Sequence, residues 1–211
     1  MVNRPAGGPR SKRHEREPYD WYVDPPFCTR ALMERVDFAD DFILDPSCGR
    51  GTILDVAKDR GHPTYGVDIV DRQALHRFKR CDFLRMERLP STQGRALSII
   101  NNPPYSYVPD IAEAFIRKAL TLPVRRAAFL VPIAFLCSDT RWRLFERDFT
   151  PSHVCILSQR PSMPPGSTVT EATEFKGGMA DYVWIVFTAP HRWKTRTIWL
   201  QPYDSPTGLR F

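Results

Sequence analysis

Residues 96–105 read ALSIINNPPY: an apolar, partly β-branched run that ends in two amides, two prolines and a tyrosine. The apolar run predicts a buried strand, and the prolines forbid any further ladder. At such a strand end the Asn102 side-chain oxygen can accept a hydrogen bond. The Pro103 carbonyl can accept a second, held outward because Pro103 and Pro104 have fixed φ angles. Tyr105 adds an aromatic face on which a planar base or amide can stack. Two acceptors and a stacking face suit a planar amine, with Asn102 rather than Asn101 as the contact. Taken alone, the same residues also fit a Pro-Pro turn with a capping amide and a packing ring.

A second constellation lies upstream. The stretch FILDPSCGRGTILDVAKDRG places Asp45 at a strand end, then a turn with Gly49 and Gly51, then a helix. Glycines there let backbone N–H groups approach a ligand at a helix N-terminus. Asp68 ends the next apolar run, 17 residues after Gly51, where its carboxylate can accept both hydroxyls of a ribose. Leu54 stands where a dinucleotide fingerprint would have its third glycine, which disfavours a nicotinamide dehydrogenase. A nucleoside ligand without a pyrophosphate fits better, because Asp45 would repel phosphate and attract a cationic or amino group.

These residues need a scaffold that brings several strand ends to one edge. Short apolar runs alternate with helical patterns from Tyr19 onward, as in a mostly parallel sheet with crossover helices. Strands are expected near 42–45, 64–68, 96–100, 127–132, 153–158 and 182–188, with a weaker one at 77–82. Helices are expected near 27–36, 51–60, 109–122 and 139–147. In the third, Ile111, Ala112, Phe115, Ile116, Ala119 and Leu120 form one apolar stripe. Residues 159–181 are polar and rich in proline and glycine, a loop of a length that is uncommon unless functional or disordered. Residues 1–18 mix Gly, Pro and charge and predict a flexible basic tail.

The whole chain fits one sizeable α/β domain at 211 residues, 42% hydrophobic and 26% charged. No apolar run approaches the ~20 residues of a membrane span, and the basic N-terminus lacks the apolar core of a signal peptide, so a cytoplasmic location is expected. The five cysteines are scattered without a C-x-x-C pair, which argues against zinc and against a disulfide framework; no metal site is expected. A net charge of +6 suits a polyanionic partner.

In combination, DPSCGRGTIL (45–54), GVDI (66–69), CDFL (81–84) and NNPPY (101–105) resemble class I S-adenosylmethionine-dependent methyltransferases, specifically the adenine-N6 DNA type. The upstream DWYVDPPFCTRALMERV (20–36) is similar to a segment that precedes the glycine turn in several of them. The resemblance implies a Rossmann-like α/β fold, a mostly parallel twisted sheet of about seven strands with helices on both faces. It divides the chain into a tail (1–18), a methyltransferase domain (19–190) and a C-terminal extension (191–211). S-adenosyl-L-methionine is the implied cofactor. Its methionine part would be held by Asp45 and by Pro46, Ser47, Cys48, Gly49, Gly51 and Thr52. Asp68 and Ile69 would hold the ribose, Asp82 and Phe83 the adenine, and Tyr22 and Pro25 would add contacts. Asp24 occupies a position that is usually threonine. Asn102, Pro103, Pro104 and Tyr105 would form the catalytic clamp.

The implied reaction is methylation of the exocyclic N6 amine of adenine in DNA. The same tetrapeptide also serves enzymes that act on RNA base amines and on protein glutamine amides, and a non-catalytic nucleic-acid-binding module is the reading from another class. A duplex base must be flipped out to be reached. Arg160, Lys176 and the tail arginines are candidate phosphate contacts, and Met163 or Phe175 is the candidate for the second half of a base sandwich. With so much of the chain in the core, sequence recognition is expected from the loop, the tails, a partner or a homodimer. Trp193 and Trp199 lie in a C-terminal segment that fits an additional edge strand, the preferred reading, or a nucleic-acid contact.

Overall fold

The computed structural model describes residues 17–105, 108–170, 178–190 and 194–202. Residues 1–16 of the basic tail, Phe175, Lys176 and Trp193 lie outside them. Eight strands form one sheet: β1 (Phe42–Asp45), β2 (Thr64–Asp68), β3 (Phe78–Arg80), β4 (Leu97–Asn101), β5 (Val124–Pro132), β6 (His153–Leu157), β7 (Tyr182–Thr188) and β8 (Arg196–Leu200). Their order is β3-β2-β1-β4-β5-β7-β6-β8. All neighbours pair in parallel except β7, which runs antiparallel to both β5 and β6. The sheet is thus Rossmann-like and mostly parallel, with eight strands where about seven are expected. The additional strand is β8, which pairs with β6 in parallel register from His153 opposite Arg196 to Leu157 opposite Leu200.

The helices are α1 (Pro26–Arg35), α2 (Thr52–Asp59), α3 (Ile111–Leu120) and α4 (Asp139–Trp142), the last continuing as wider turns through Arg143–Asp148. Pro26 opens α1, where a missing N–H costs no helix bond. The α3 helix begins at Ile111, two residues later than the expected start at 109, because Asp110 adopts a left-handed φ of 56°. Its apolar stripe is buried as expected.

Period-two alternation divides the strand side chains between two cores. Phe42, Leu44, Ile185 and Phe187 enter the layer beneath α3, whereas Ile43, Ile100, Trp184 and Val186 meet α1 and α2. The buried Trp184 indole donates to the Cys28 carbonyl at 2.9 Å, which pins α1, and the segment leading into it, to the middle of the sheet. Among the described residues no helix is long and apolar enough to cross a membrane.

The strand order reverses direction between β1 and β4. In open α/β sheets that switch point leaves a crevice beyond the carboxyl ends of the strands, since the connections on either side depart to opposite faces. Asp45 ends β1 and Asn101 ends β4, so the two sequence constellations meet at this crevice.

Candidate active site

A cleft of about 800 Å³, its open mouth included, lies at the switch point. Its walls hold Asp45, Pro46, Ser47, Cys48, Gly49 and Thr52 from the glycine turn. Asp68, Ile69, Asp82 and Phe83 come from the ends of β2 and β3, and Asn102, Pro103, Pro104 and Tyr105 from the end of β4. Residues 19–24, Tyr22 among them, close a further side.

The glycine turn is held from below and from the side. Gly49 and Gly51 have φ values of 53° and 96°, which favour glycine. The Gly49 N–H donates to Asp68 at 2.9 Å, so this amide fastens the turn to β2 instead of pointing at a ligand. Asp68 also accepts from the Val70 N–H at 3.0 Å through its other oxygen. Each carboxylate oxygen keeps a second lone pair, so the geometry remains suited to a diol. Asp82 caps a short turn by accepting from the Leu84 N–H at 2.9 Å. Phe83 is buried, and its ring lies 5.3 Å from that of Phe115, which reaches the cleft from α3.

Four residues expected at the site stand elsewhere. Pro25 caps α1 and leaves the wall to Asp24; Gly51 starts α2, where an added Cβ would meet His76 at 2.7 Å. Met163 packs toward the core beneath α1, and Arg160 pairs with Asp181 at 2.7 Å on the exposed surface. The remaining two substrate candidates, Phe175 and Lys176, lie outside the described residues.

Conversely, the structure adds Trp21, Arg72 and Phe115 to the cleft. The Arg72 guanidinium lies 3.9 Å from the centre of the Trp21 ring. Backbone bonds from Val23 to Pro164 and from Gly166 to Trp21 lay the start of the 159–181 loop along the 21–23 segment. Trp21 lies within the upstream segment 20–36, whereas nothing local marks Arg72.

The two asparagines divide as alternation requires. Asn101 is fully buried; its Nδ2 donates to Asp45 at 2.8 Å and to Ser47 Oγ at 2.7 Å. Asn102 lines the cleft, and its Oδ1 meets the Tyr105 hydroxyl. That hydroxyl also lies 2.6 Å from the Leu130 carbonyl, so the ring is tethered to β5. Burial raises the Asp45 carboxyl well above the usual range, an effect that the Asn101 bond opposes and neighbouring Asp24 adds to. Burial likewise lifts Asp24 to about 6, against hydrogen bonds from its own backbone and from the Asn102 side chain. A cleft lined by closely spaced carboxylates favours a cationic or amino-bearing ligand.

No family model matches the sequence, and no curated protein does. Solved structures do. The modification subunit ascribed to a type I restriction enzyme of Vibrio vulnificus YJ016 superposes with a TM-score of 0.56 at 16% identity, over 87% of this chain and 48% of that one. The methyltransferase subunit of a type I restriction-modification system from Streptococcus thermophilus gives 0.55 at 13% identity, over 83% and 46%. The 23S rRNA methyltransferase ErmE gives 0.50 at 13% identity, over 81% and 70%. The chain therefore spans about half the length of the two restriction-modification subunits.

Together, sheet order and these superpositions define the class: a Rossmann-like fold of the class I methyltransferase type. In this chain β4 ends at Asn101 and runs directly into Asn-Pro-Pro-Tyr, beside the glycine turn. Identities this low establish the shared architecture, in agreement with the likeness drawn from the motifs.

Proposed function

We propose that the protein transfers a methyl group from S-adenosyl-L-methionine to the exocyclic N6 amine of adenine in DNA. One observation carries the reading: the Asn102–Tyr105 segment opens into the same cleft as Asp45, Asp68 and Asp82. The donor set fits the cofactor, with acceptors for a ribose at Asp68, an aromatic wall at Phe83, and buried carboxylates at Asp45 and Asp24 suited to positive charge. When bound, the cofactor supplies an electrophilic methyl group on a sulfonium.

The chain's own residues would then orient the amine. Accepting from its N–H groups, the Asn102 Oδ1 and the Pro103 carbonyl would draw the lone pair out of conjugation. Tyr105 would hold the base plane, and the two prolines would keep the acceptors in near-attack geometry. The DNA substrate is favoured by the upstream segment that accompanies the clamp, by the net charge of +6, and by the type of two of the structural neighbours. Arg160 and Lys176 would meet phosphates, Met163 would need to move to enclose a flipped base, and Phe175 is the other candidate for that role. Target recognition would come from the 159–181 loop, the tails, a partner or a second copy.

The test is parallel incubation with labelled S-adenosylmethionine and unmethylated DNA, RNA and protein. Label recovered as N6-methyladenine in DNA is the expected result. Label confined to RNA or protein overturns the substrate, and three blank substrates overturn the activity.

A further inference from the structure

Past Asn101 the chain leaves β4 through two prolines. Pro103 and Pro104 have no N–H, so Tyr105 carries the first backbone donor after Asn102. A side chain from a distant part of the sequence takes that donor: the Tyr105 N–H donates to Oδ2 of Asp20 at 3.1 Å. Asp20 itself lines the cleft, in the segment 19–24 that closes its further side.

The backbone of that segment is bent in an uncommon way. Tyr19 and Asp20 have φ values of 59° and 53°, in the left-handed region that residues other than glycine seldom occupy. Two such residues in succession persist only when surrounding contacts hold them. Here the Asp20 N–H donates to the Glu17 carbonyl at 3.0 Å, the Tyr22 N–H to the Asp20 carbonyl at 2.9 Å, and Trp21 and Val23 pair with Gly166 and Pro164. Glycine at position 20 would remove the strain and the acceptor together. Aspartate and asparagine combine tolerance of this φ with a side-chain oxygen placed to receive the Tyr105 N–H.

We propose that Asp20 is a positioning residue for the clamp: its carboxylate fixes the main chain at Tyr105, and with it the direction of the Pro103 carbonyl and the plane of the aromatic ring. This rests on the function proposed above. The ring hydroxyl is anchored separately, at Asn102 and at Leu130 on β5. Tyr105 is therefore held at one end from the sheet and at the other from the segment 19–24. With the second hold removed, the Pro103 carbonyl can swing about the first, and a displacement on the order of 1 Å in a reacting geometry costs about 100-fold in rate. The same contact joins two walls of the cleft, so the segment beside the glycine turn and the acceptors offered to the amine keep one spacing.

Three substitutions in the full chain separate the hydrogen bond from the backbone strain. Asp20→Asn keeps the accepting oxygen and the tolerance of left-handed φ, Asp20→Gly keeps the φ without the oxygen, and Asp20→Ala loses both. Exchange of the Tyr105 backbone amide, followed by NMR without added ligand, reads the contact independently of activity. It should quicken at least about tenfold in Asp20→Gly and Asp20→Ala and stay slow in Asp20→Asn. At saturating S-adenosylmethionine, kcat on a short adenine-containing DNA duplex should fall about 10- to 100-fold in Asp20→Gly and Asp20→Ala alike, with KM for DNA little changed. Asp20→Asn should recover the rate to within about threefold. Asp20→Gly should nonetheless unfold at a higher temperature than Asp20→Ala, because it carries no strain at this φ. A rate that instead follows stability, with Asp20→Gly close to the unaltered protein, overturns the inference, as does a Tyr105 amide whose exchange ignores all three substitutions. If the unaltered protein methylates nothing, the function proposed above fails, and the amide exchange alone decides whether Asp20 holds the clamp.

Discussion

Asn101 Nδ2 lies 2.8 Å from Oδ1 of Asp45, which fastens the end of β4 to the end of β1 across the switch point of the sheet. The same amide reaches Ser47 Oγ, and Ser47 Oγ in turn donates to the Asn102 carbonyl at 3.2 Å. The glycine turn and the Asn-Pro-Pro-Tyr segment are thereby one hydrogen-bonded unit, whichever ligand each side receives.

Adjacent asparagines should consequently fail in different ways. Asn101→Ala leaves a buried carboxylate short of its donor and should cost about 1–3 kcal/mol, read as a lower urea midpoint at unchanged slope. On the proposed function, Asn102→Ala removes an acceptor for the reacting amine. It should reduce methyl transfer by about 100-fold or more while S-adenosylmethionine affinity holds, measured by calorimetry beside single-turnover rates.

Asp24 should make the protein less stable at neutral pH than a neutral isostere would. Its carboxyl is raised by burial from 3.8 to about 6. Because the folded state favours the protonated form, that stabilisation is fully present below 3.8 and is lost as pH rises through about 6. Asp24→Asn should therefore unfold at higher temperature than the unaltered protein at pH 8, by up to about 3 kcal/mol. The gap should close below pH 4, and calorimetric scans at both pH values would show it.

The Trp21 contact with the 159–181 loop leaves no room for a side chain at Gly166. A Cβ there would stand 2.1 Å from the indole ring. Gly166→Ala must displace the ring or the loop, at about 1–3 kcal/mol. Because Trp21 lines the cleft, the variant should also bind S-adenosylmethionine more weakly, with a changed tryptophan emission spectrum.

Tyr105 combines a ring and a tether that two substitutions can separate. Tyr105→Phe keeps the stacking face but removes the hydroxyl shared by Asn102 and Leu130. It should cost about 1 kcal/mol in stability and lower kcat with little change in KM. Tyr105→Ala should also raise KM, since stacking contributes about 1–3 kcal/mol per base. Steady-state kinetics on a short DNA duplex distinguishes the two.

Much of this site was legible because strand ends, turns and glycine positions are written locally. Asp45 and Asp68 each end an apolar run, and the glycines at 49 and 51 take the positive φ that their turn needs. Alternation along β4 separated the two asparagines, one facing inward and one at the edge. Gly51 and Pro25 show the limit of motif reading, since both serve helix starts, where backbone geometry alone accounts for them.

By itself, then, the sequence determined which main elements form and, to within a residue or two, where each expected strand ends, because periodicity and turn chemistry act over a few neighbours. Only the tertiary structure decided that β1 and β4 lie side by side, that β8 extends the sheet, and that Trp21, Arg72 and Phe115 share one cleft. Those relationships join residues far apart in the chain, so they depend on packing and on the burial of charge, which local spacing does not encode.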